Sequence, residues 1–149
     1  MSLVHQNLYD VDNASKVDFD KFVTQLTLET LALIGSEHET INTKIETNNI
    51  VFEMGTAVFL GLILNELITN SLKHAFKNIE HSEITIELKQ RRSDYILSYS
   101  DSGTGLPISF DLANSGGFGF KLVNLMVNQI DGHLHYNDNK NQFTIQFSL

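Results

Sequence analysis

Residues 64–76 read LNELITNSLKHAF and complete a helical pattern that is apolar on nearly every side before this point. Polar side chains then recur at helical spacing. At 100° per residue, an arc of about 60° contains Glu66, Asn70, Lys73 and Lys77. Most amphipathic helices turn such a stripe toward solvent. An acid, an amide and a base at this spacing can also hold a metal-bound phosphate, because an amide oxygen ligates Mg²⁺ and a cation neutralises phosphate charge.

Two glycine-rich stretches follow this helix. The first, DSGTGLP at 101–107, comes directly after a predicted strand. The Asp101 carboxylate can accept a hydrogen bond from an exocyclic amine, and the glycines allow backbone to pass close to a flat ring. The second, GGFG at 116–119, opens a predicted helix and leaves N–H groups free for phosphate. It lacks the Gly-Lys-Ser/Thr of a P-loop, and no strand leads into it as in a dinucleotide fold. Taken alone, each stretch is also typical of an ordinary turn.

The rest of the chain predicts an α+β two-layer sandwich. Asp18 is a good N-cap for a helix with Phe19, Phe22, Val23, Leu26 and Leu33 on one face, ending at Gly35. A second helix is predicted over 56–77 and a third over 118–130, the latter stopped by Gly132. Strands are predicted at 40–45, 50–52, 84–90, 95–100, 133–137 and 143–149, with turns at 48–49 and 91–94. Strands and helices do not alternate strictly, which disfavours a doubly wound sheet.

Composition narrows the class of protein. The 149 residues are 42% hydrophobic, carry a formal net charge of −8 and include no cysteine. The length predicts one domain with a real core, and the acidic balance disfavours a nucleic-acid-binding surface. Disulfides and thiolate metal sites are excluded. No apolar run is expected to span a bilayer, which needs about 20 residues. Met1-Ser2-Leu3 is interpreted as an expression leader.

The order and separation of the three stretches resemble the N, G1 and G2 boxes of the ATPase superfamily shared by histidine kinases, type II topoisomerases, heat-shock chaperones and mismatch-repair proteins. The resemblance runs from Val17 to the C-terminus and implies a mixed, mainly antiparallel sheet covered by helices on one face, the Bergerat-type ATP-binding fold. Residues 64–76 and 119–123 are similar to one bacterial and archaeal histidine-kinase subfamily. Residues 4–9 and 17–19 resemble the end of its dimerisation helix and linker. The implied division is a linker at 1–16 and an ATP-binding catalytic domain at 17–149.

This resemblance implies ATP and Mg²⁺ as cofactors and assigns roles by position. Asn70 would be the Mg²⁺ ligand, and Asp101 would bond the adenine amino group. Glu66 matches the acid that activates water in the ATPase relatives and is the candidate catalytic base. Asn141 stands near the position where relatives carry Gly-Thr, and could still hydrogen-bond near adenine. The other implied ATP-binding residues belong to the three boxes: Lys73, His74, Gly103, Gly105, Gly117, Phe118, Gly119 and Lys121.

The implied reaction is transfer of the γ-phosphoryl group of ATP to a histidine on a separate dimerisation domain of the parent chain. The parent is expected to be a homodimer that passes phosphate to a response regulator and binds no nucleic acid. This domain is expected in the cytoplasm, whether or not the parent is anchored in a membrane. Two alternatives stay open: an anti-sigma-factor-type serine kinase, which residues 4–9 disfavour, and a non-catalytic nucleotide-sensing module.

Overall fold

A computed structural model describes residues 16–34, 41–75, 82–103 and 117–149. In chain order the elements are β1 (Lys16–Asp18), α1 (Phe19–Ile34), β2 (Ile41–Glu46), β3 (Val51–Glu53), α2 (Met54–Asn70), a π-helical turn (Ser71–Ala75), β4 (Ser82–Arg91), β5 (Asp94–Asp101), α3 (Gly117–Gln129), β6 (His133–Asn137) and β7 (Gln142–Ser148). The predicted linker lies largely outside these ranges.

Five strands form one mixed sheet in the order β2-β4-β5-β7-β6. β2 runs parallel to β4, and the other neighbouring pairs are antiparallel. Residues that alternate along β4 from Ser82 to Leu88 are buried, so one face of the sheet is turned toward the core. The register places Leu97 between Leu88 and Ile145 on that inner face. The predicted two-layer α+β fold with a mixed, mainly antiparallel sheet is confirmed.

Helix α1 begins where its sequence predicts. The Asp18 carboxylate accepts hydrogen bonds from the backbone N–H groups of Asp20, at 3.1 Å, and Lys21, at 3.4 Å. A capping side chain of this kind satisfies N–H groups that have no acceptor within the helix. The predicted apolar face is buried at Phe19, Phe22, Val23 and Leu26. Leu33 differs: it lies on the same face by spacing, but it is 79% exposed because it falls in the last turn of the helix.

Helix α2 is the central helix of the core. Its buried residues are Ala57, Leu60, Gly61, Ile63, Leu64, Leu67 and Ile68. A Cβ added at Gly61 would lie 2.8 Å from the ring of Phe22, so the absence of a side chain allows α1 and α2 to pack closely. By length and a mean hydropathy of 1.3, the stretch Met54–Lys73 could cross a bilayer, contrary to the sequence-based expectation. Half of that window is buried in this fold, as for a helix that serves a protein core.

Two turns lie where the sequence predicts them, and the structure shows how each is built. β2 and β3 flank a turn at Asn48 and Asn49, whose φ angles are 54° and 56°, but the two strands do not pair with each other. β3 instead pairs with β1 in a separate two-stranded ribbon. At the end of α3 the left-handed residue is Asp131, with φ of 51°, and not Gly132. Gly132, the predicted stop, is the next residue, and its N–H donates to the backbone oxygen of Val127 at 2.9 Å, which completes a Schellman motif.

Candidate functional site

Asp101 is the last residue of β5, and its half-buried carboxylate joins three segments of the chain. Oδ2 accepts a hydrogen bond of 2.6 Å from the Ser71 hydroxyl, which follows α2. Oδ1 accepts one of 2.8 Å from the backbone N–H of Gly103 and one of 2.5 Å from Nδ2 of Asn141. The end of α2, the end of β5 and the β6–β7 turn therefore meet at one carboxylate.

A buried tyrosine extends this junction into the core. The hydroxyl of Tyr99 lies 2.6 Å from that of Ser71, and the two side chains are 2% exposed. Burial raises the pKa of Tyr99 above its ordinary value, and the carboxylate of Asp101 acts in the same direction. The phenol is therefore neutral at physiological pH and keeps its proton for a hydrogen bond.

Asn141 holds the other side of the carboxylate. Its backbone has a φ of 46°, a left-handed conformation that asparagine tolerates better than most residues. Besides Oδ1, its Nδ2 donates to the backbone oxygen of Asp101 at 3.0 Å. The Tyr136 hydroxyl donates to its Oδ1 at 2.7 Å. Asn141, which the resemblance placed near adenine, is thus fixed against Asp101 by hydrogen bonds on both ends of its amide.

The polar stripe of α2 lies on the side of the helix away from its buried residues. Glu66 and Asn70 are half-buried, and Lys73, in the π-helical turn, is exposed. Nδ2 of Asn70 is buried and has no hydrogen-bond partner in the described part of the chain. His74 follows in the same π-helical turn. Ser71 directly follows Asn70 and is hydrogen-bonded to Asp101. The C-terminal end of the stripe therefore lies beside the carboxylate junction.

The N-terminus of α3 is built from Gly117, Phe118 and Gly119. The first N–H groups of a helix have no acceptor within it and carry the positive end of the helix dipole. The next residue, Phe120, is buried with its ring 5.7 Å from that of Phe143, which in turn lies 4.8 Å from the ring of Tyr136. This aromatic contact links the start of α3 to the residue that holds Asn141. Lys121 is exposed on the first turns of the helix.

The structure adds residues that the sequence patterns did not single out: Ser71, Tyr99 and Tyr136. Ser71 falls on the apolar side of a helix and Tyr99 alternates with Leu97 toward the core, and a hydroxyl in such a place needs a partner. The sequence therefore indicates that these hydroxyls need hydrogen-bond partners, but it does not identify the partners. Of the predicted site residues, Gly105 lies outside the described ranges.

The arrangement offers both hydrogen-bond acceptors and donors. The Asp101 carboxylate accepts hydrogen bonds, whereas the α3 N-terminus, Lys73 and Lys121 supply positive charge or N–H groups. Within residues 16–34, 41–75, 82–103 and 117–149, no group of three or more histidine or acidic side chains could hold a metal ion unaided. A divalent cation here would need ligand oxygens from a bound phosphate as well as from Asn70.

Comparison with known proteins supports this interpretation. The profile of histidine kinase-, DNA gyrase B- and HSP90-like ATPases matches residues 55–149. Sensor histidine kinase PdtaS of Mycolicibacterium smegmatis is 28% identical over 145 residues, which cover 93% of this chain and 28% of that protein. Serine-protein kinase RsbW of Listeria innocua is 45% identical over 53 residues, which cover 36% of this chain and 31% of RsbW.

The fold is shared with solved histidine kinase structures. The histidine kinase domain of the blue-light activated kinase EL346 from Erythrobacter litoralis aligns with a TM-score of 0.83 at 18% identity. That alignment covers 98% of this chain and 70% of the other. The profile match includes α2 from Gly55 onward, α3 and every candidate site residue. This chain therefore belongs to the histidine kinase-, DNA gyrase B- and HSP90-like ATPase family and carries an ATP-binding domain with the fold of histidine kinase catalytic domains.

Proposed function

We propose that the chain binds Mg-ATP between α2 and α3 and presents its γ-phosphate to a histidine on a dimerisation domain. The single observation that carries this proposal is the carboxylate junction, where Ser71, Asp101 and Asn141 bring the polar end of α2 to the end of β5. In the proposed complex the Asp101 carboxylate accepts a hydrogen bond from the 6-amino group of adenine. Gly103 would line the ring with backbone alone, and Gly105 is proposed from the family resemblance to do the same.

The phosphates are proposed to lie between the end of α2 and the start of α3. The N–H groups of Gly117, Phe118 and Gly119 have no acceptor within the helix and suit phosphate oxygens. The cationic or basic groups that the family resemblance assigns to the phosphates are Lys73, His74 and Lys121. Together they would neutralise the phosphate chain, which needs local positive charge in a protein of net charge −8.

Mg²⁺ fits the Asn70 side chain. Its amide nitrogen is buried and has no hydrogen-bond partner among the described residues. No hydrogen bond at that nitrogen therefore holds the side chain in an orientation that would compete with binding of a ligand. Its oxygen is a hard ligand of the kind that Mg²⁺ prefers. When bound, the cation would neutralise charge on the phosphates. Glu66 lies one helical turn before Asn70 and forms no hydrogen bond or ion pair with described residues, which leaves it available as a base.

The proposed partners follow from the histidine kinase assignment. Because this chain spans 28% of the length of PdtaS, the acceptor histidine is proposed to belong to a dimerisation domain of a longer, homodimeric parent. The linker at residues 1–16 would connect the two. A response regulator would receive the phosphoryl group, and the domain would act in the cytoplasm.

Calorimetric titration with ATP, with Mg²⁺ or with EDTA, tests the site. We expect one binding site whose affinity falls when Mg²⁺ is removed. Asn70→Ala is expected to weaken Mg-ATP binding about tenfold and to leave Mg²⁺-free binding nearly unchanged. Asn128→Ala, on an exposed face of α3, is the matched control. A folded wild-type chain that binds no ATP at millimolar concentration would overturn the proposal.

A serine-kinase function is the second candidate, favoured by the 45% identity to RsbW. That match covers 36% of the chain, whereas the sensor kinase match covers 93%, and this difference favours the histidine kinase. The chemistry of the phosphorylated product separates them. Labelled ATP and a dimerisation domain from a sensor-kinase relative should yield phosphate that is labile in acid and stable in alkali. Acid-stable label would indicate a serine kinase, and binding without transfer a nucleotide-sensing module.

A further inference from the structure

The hydrogen bonds at Asp101 are distributed unequally over its two carboxylate oxygens. Oδ1 accepts from the Gly103 N–H and from Nδ2 of Asn141. Oδ2 accepts only from the Ser71 hydroxyl among the described donors. An ionised carboxylate offers about four acceptor positions, two on each oxygen. Oδ1 is therefore filled by the protein, and Oδ2 retains one position for a ligand.

The direction of the hydrogen bonds behind Oδ2 follows from the number of protons. A serine hydroxyl has one proton. Ser71 uses it toward Oδ2 of Asp101 at 2.6 Å, so the proton in the 2.6 Å contact with Tyr99 must come from the phenol. The two hydrogen bonds form a relay in which Tyr99 donates to Ser71 and Ser71 donates to Asp101. Because the relay is buried, no bulk water is available to replace a missing donor.

We infer that Ser71 and Tyr99 are positioning residues that orient Oδ2 of Asp101 toward a purine with a 6-amino group, and so contribute to base specificity. This inference rests on the proposed nucleotide function. The relay fixes an acceptor-only group at the site, which suits the N–H of adenine. A purine without the 6-amino group cannot form that hydrogen bond. A purine with a carbonyl oxygen at position 6 places an acceptor against the acceptor Oδ2 of Asp101.

Two variants remove the relay at different points. Tyr99→Phe deletes the terminal donor and keeps the ring in the core, and Ser71→Ala deletes the direct donor to Oδ2. Tyr95→Phe is a matched control on the same strand, because Tyr95 stacks on Phe147 at the other end of β5, with ring centroids 5.3 Å apart. Denaturation of each apo variant verifies that it is folded.

The measurement is the ratio of affinities for ATP and for purine riboside triphosphate, which lacks the 6-amine. Wild type and Tyr95→Phe should favour ATP by about tenfold. In Tyr99→Phe and Ser71→Ala the ratio should fall to about two- to threefold, mainly through weaker ATP binding. If both nucleotides weaken equally, so that the ratio is retained, the relay supports only the fold and the inference is wrong. A wild-type chain that binds neither nucleotide would instead refute the proposed function.

Discussion

At the scale of single residues, Asp101 serves both the fold and the proposed site. Its setting, after a strand and before a glycine pair, predicts a residue of recognition with little part in core support. In the structure its carboxylate ties together Ser71, Gly103 and Asn141, which lie in three different segments. Hydrogen bonds to a charged group contribute about 1.5–3 kcal/mol. Its replacement should therefore affect stability as well as binding.

We expect Asp101→Asn to weaken ATP binding at least about tenfold and to lower the free energy of unfolding by about 1–3 kcal/mol. The amide keeps the shape of the carboxylate, but one of its ends donates where the protein already presents donors. Calorimetry with ATP and denaturant unfolding of the apo protein measure the two effects separately. Asp138→Asn, exposed in the β6–β7 turn, controls for the loss of one negative charge. Wild-type ATP affinity in the folded Asp101 variant would contradict the assigned role.

At the scale of elements, segments whose partners lie nearby in sequence were predictable. The Asp18 cap and the spacing from Phe19 to Leu26 fixed the start and buried face of α1. The β4–β5 and β6–β7 hairpins followed from alternation and polar turns. Each of these patterns reflects local geometry, because a period of 3.6 or 2 and a short turn need no distant contact.

Pairings over long separations were not predictable in the same way. β1 and β3 contain three residues each, too few to show a period, and the paired residues Val17 and Phe52 are 35 positions apart in the sequence. β2 pairs in parallel with β4, and α2 lies between the two strands in the sequence. The partner of β2 is therefore set by how α2 packs on the sheet and not by the turn that follows β2. The Ser71–Tyr99 contact was not predictable for the same reason. The sequence shows that each buried hydroxyl needs a partner, but only the tertiary fold decides which residue that partner is.

The packing of α1 against α2 yields a prediction at this scale. Gly61→Ala should lower the free energy of unfolding by about 1–3 kcal/mol, since the added Cβ would lie 2.8 Å from the buried ring of Phe22. Gly55→Ala in the same helix has open space around its Cβ and should stabilise by about 0.4–1 kcal/mol. Urea unfolding of both variants measures the contrast. Equal effects would show that the interhelical contact tolerates a methyl group.

At the scale of the whole molecule, the proposed site depends on nearly the entire described fold. Its parts extend from Glu66 on α2 to Asn141 before β7, and the sheet that carries Asp101 is completed by β2 at one edge and β6 at the other. No short segment brings these groups together by itself. ATP should therefore bind the folded chain and have little affinity for the unfolded one, so that binding and global stability are linked.

This linkage gives a measurable shift in thermal stability. At 100 times its Kd, Mg-ATP should stabilise the folded state by about 2.7 kcal/mol, which corresponds to a rise in Tm of about 5–10 °C for a domain of this size. GTP at the same concentration should raise Tm much less, because its 6-carbonyl faces the acceptor of Asp101. EDTA should reduce the ATP effect, since the phosphates then lose the charge neutralisation that Asn70 helps to position. Equal shifts with ATP and GTP would mean that the protein recognises only the phosphates and that Asp101 does not distinguish between the two bases.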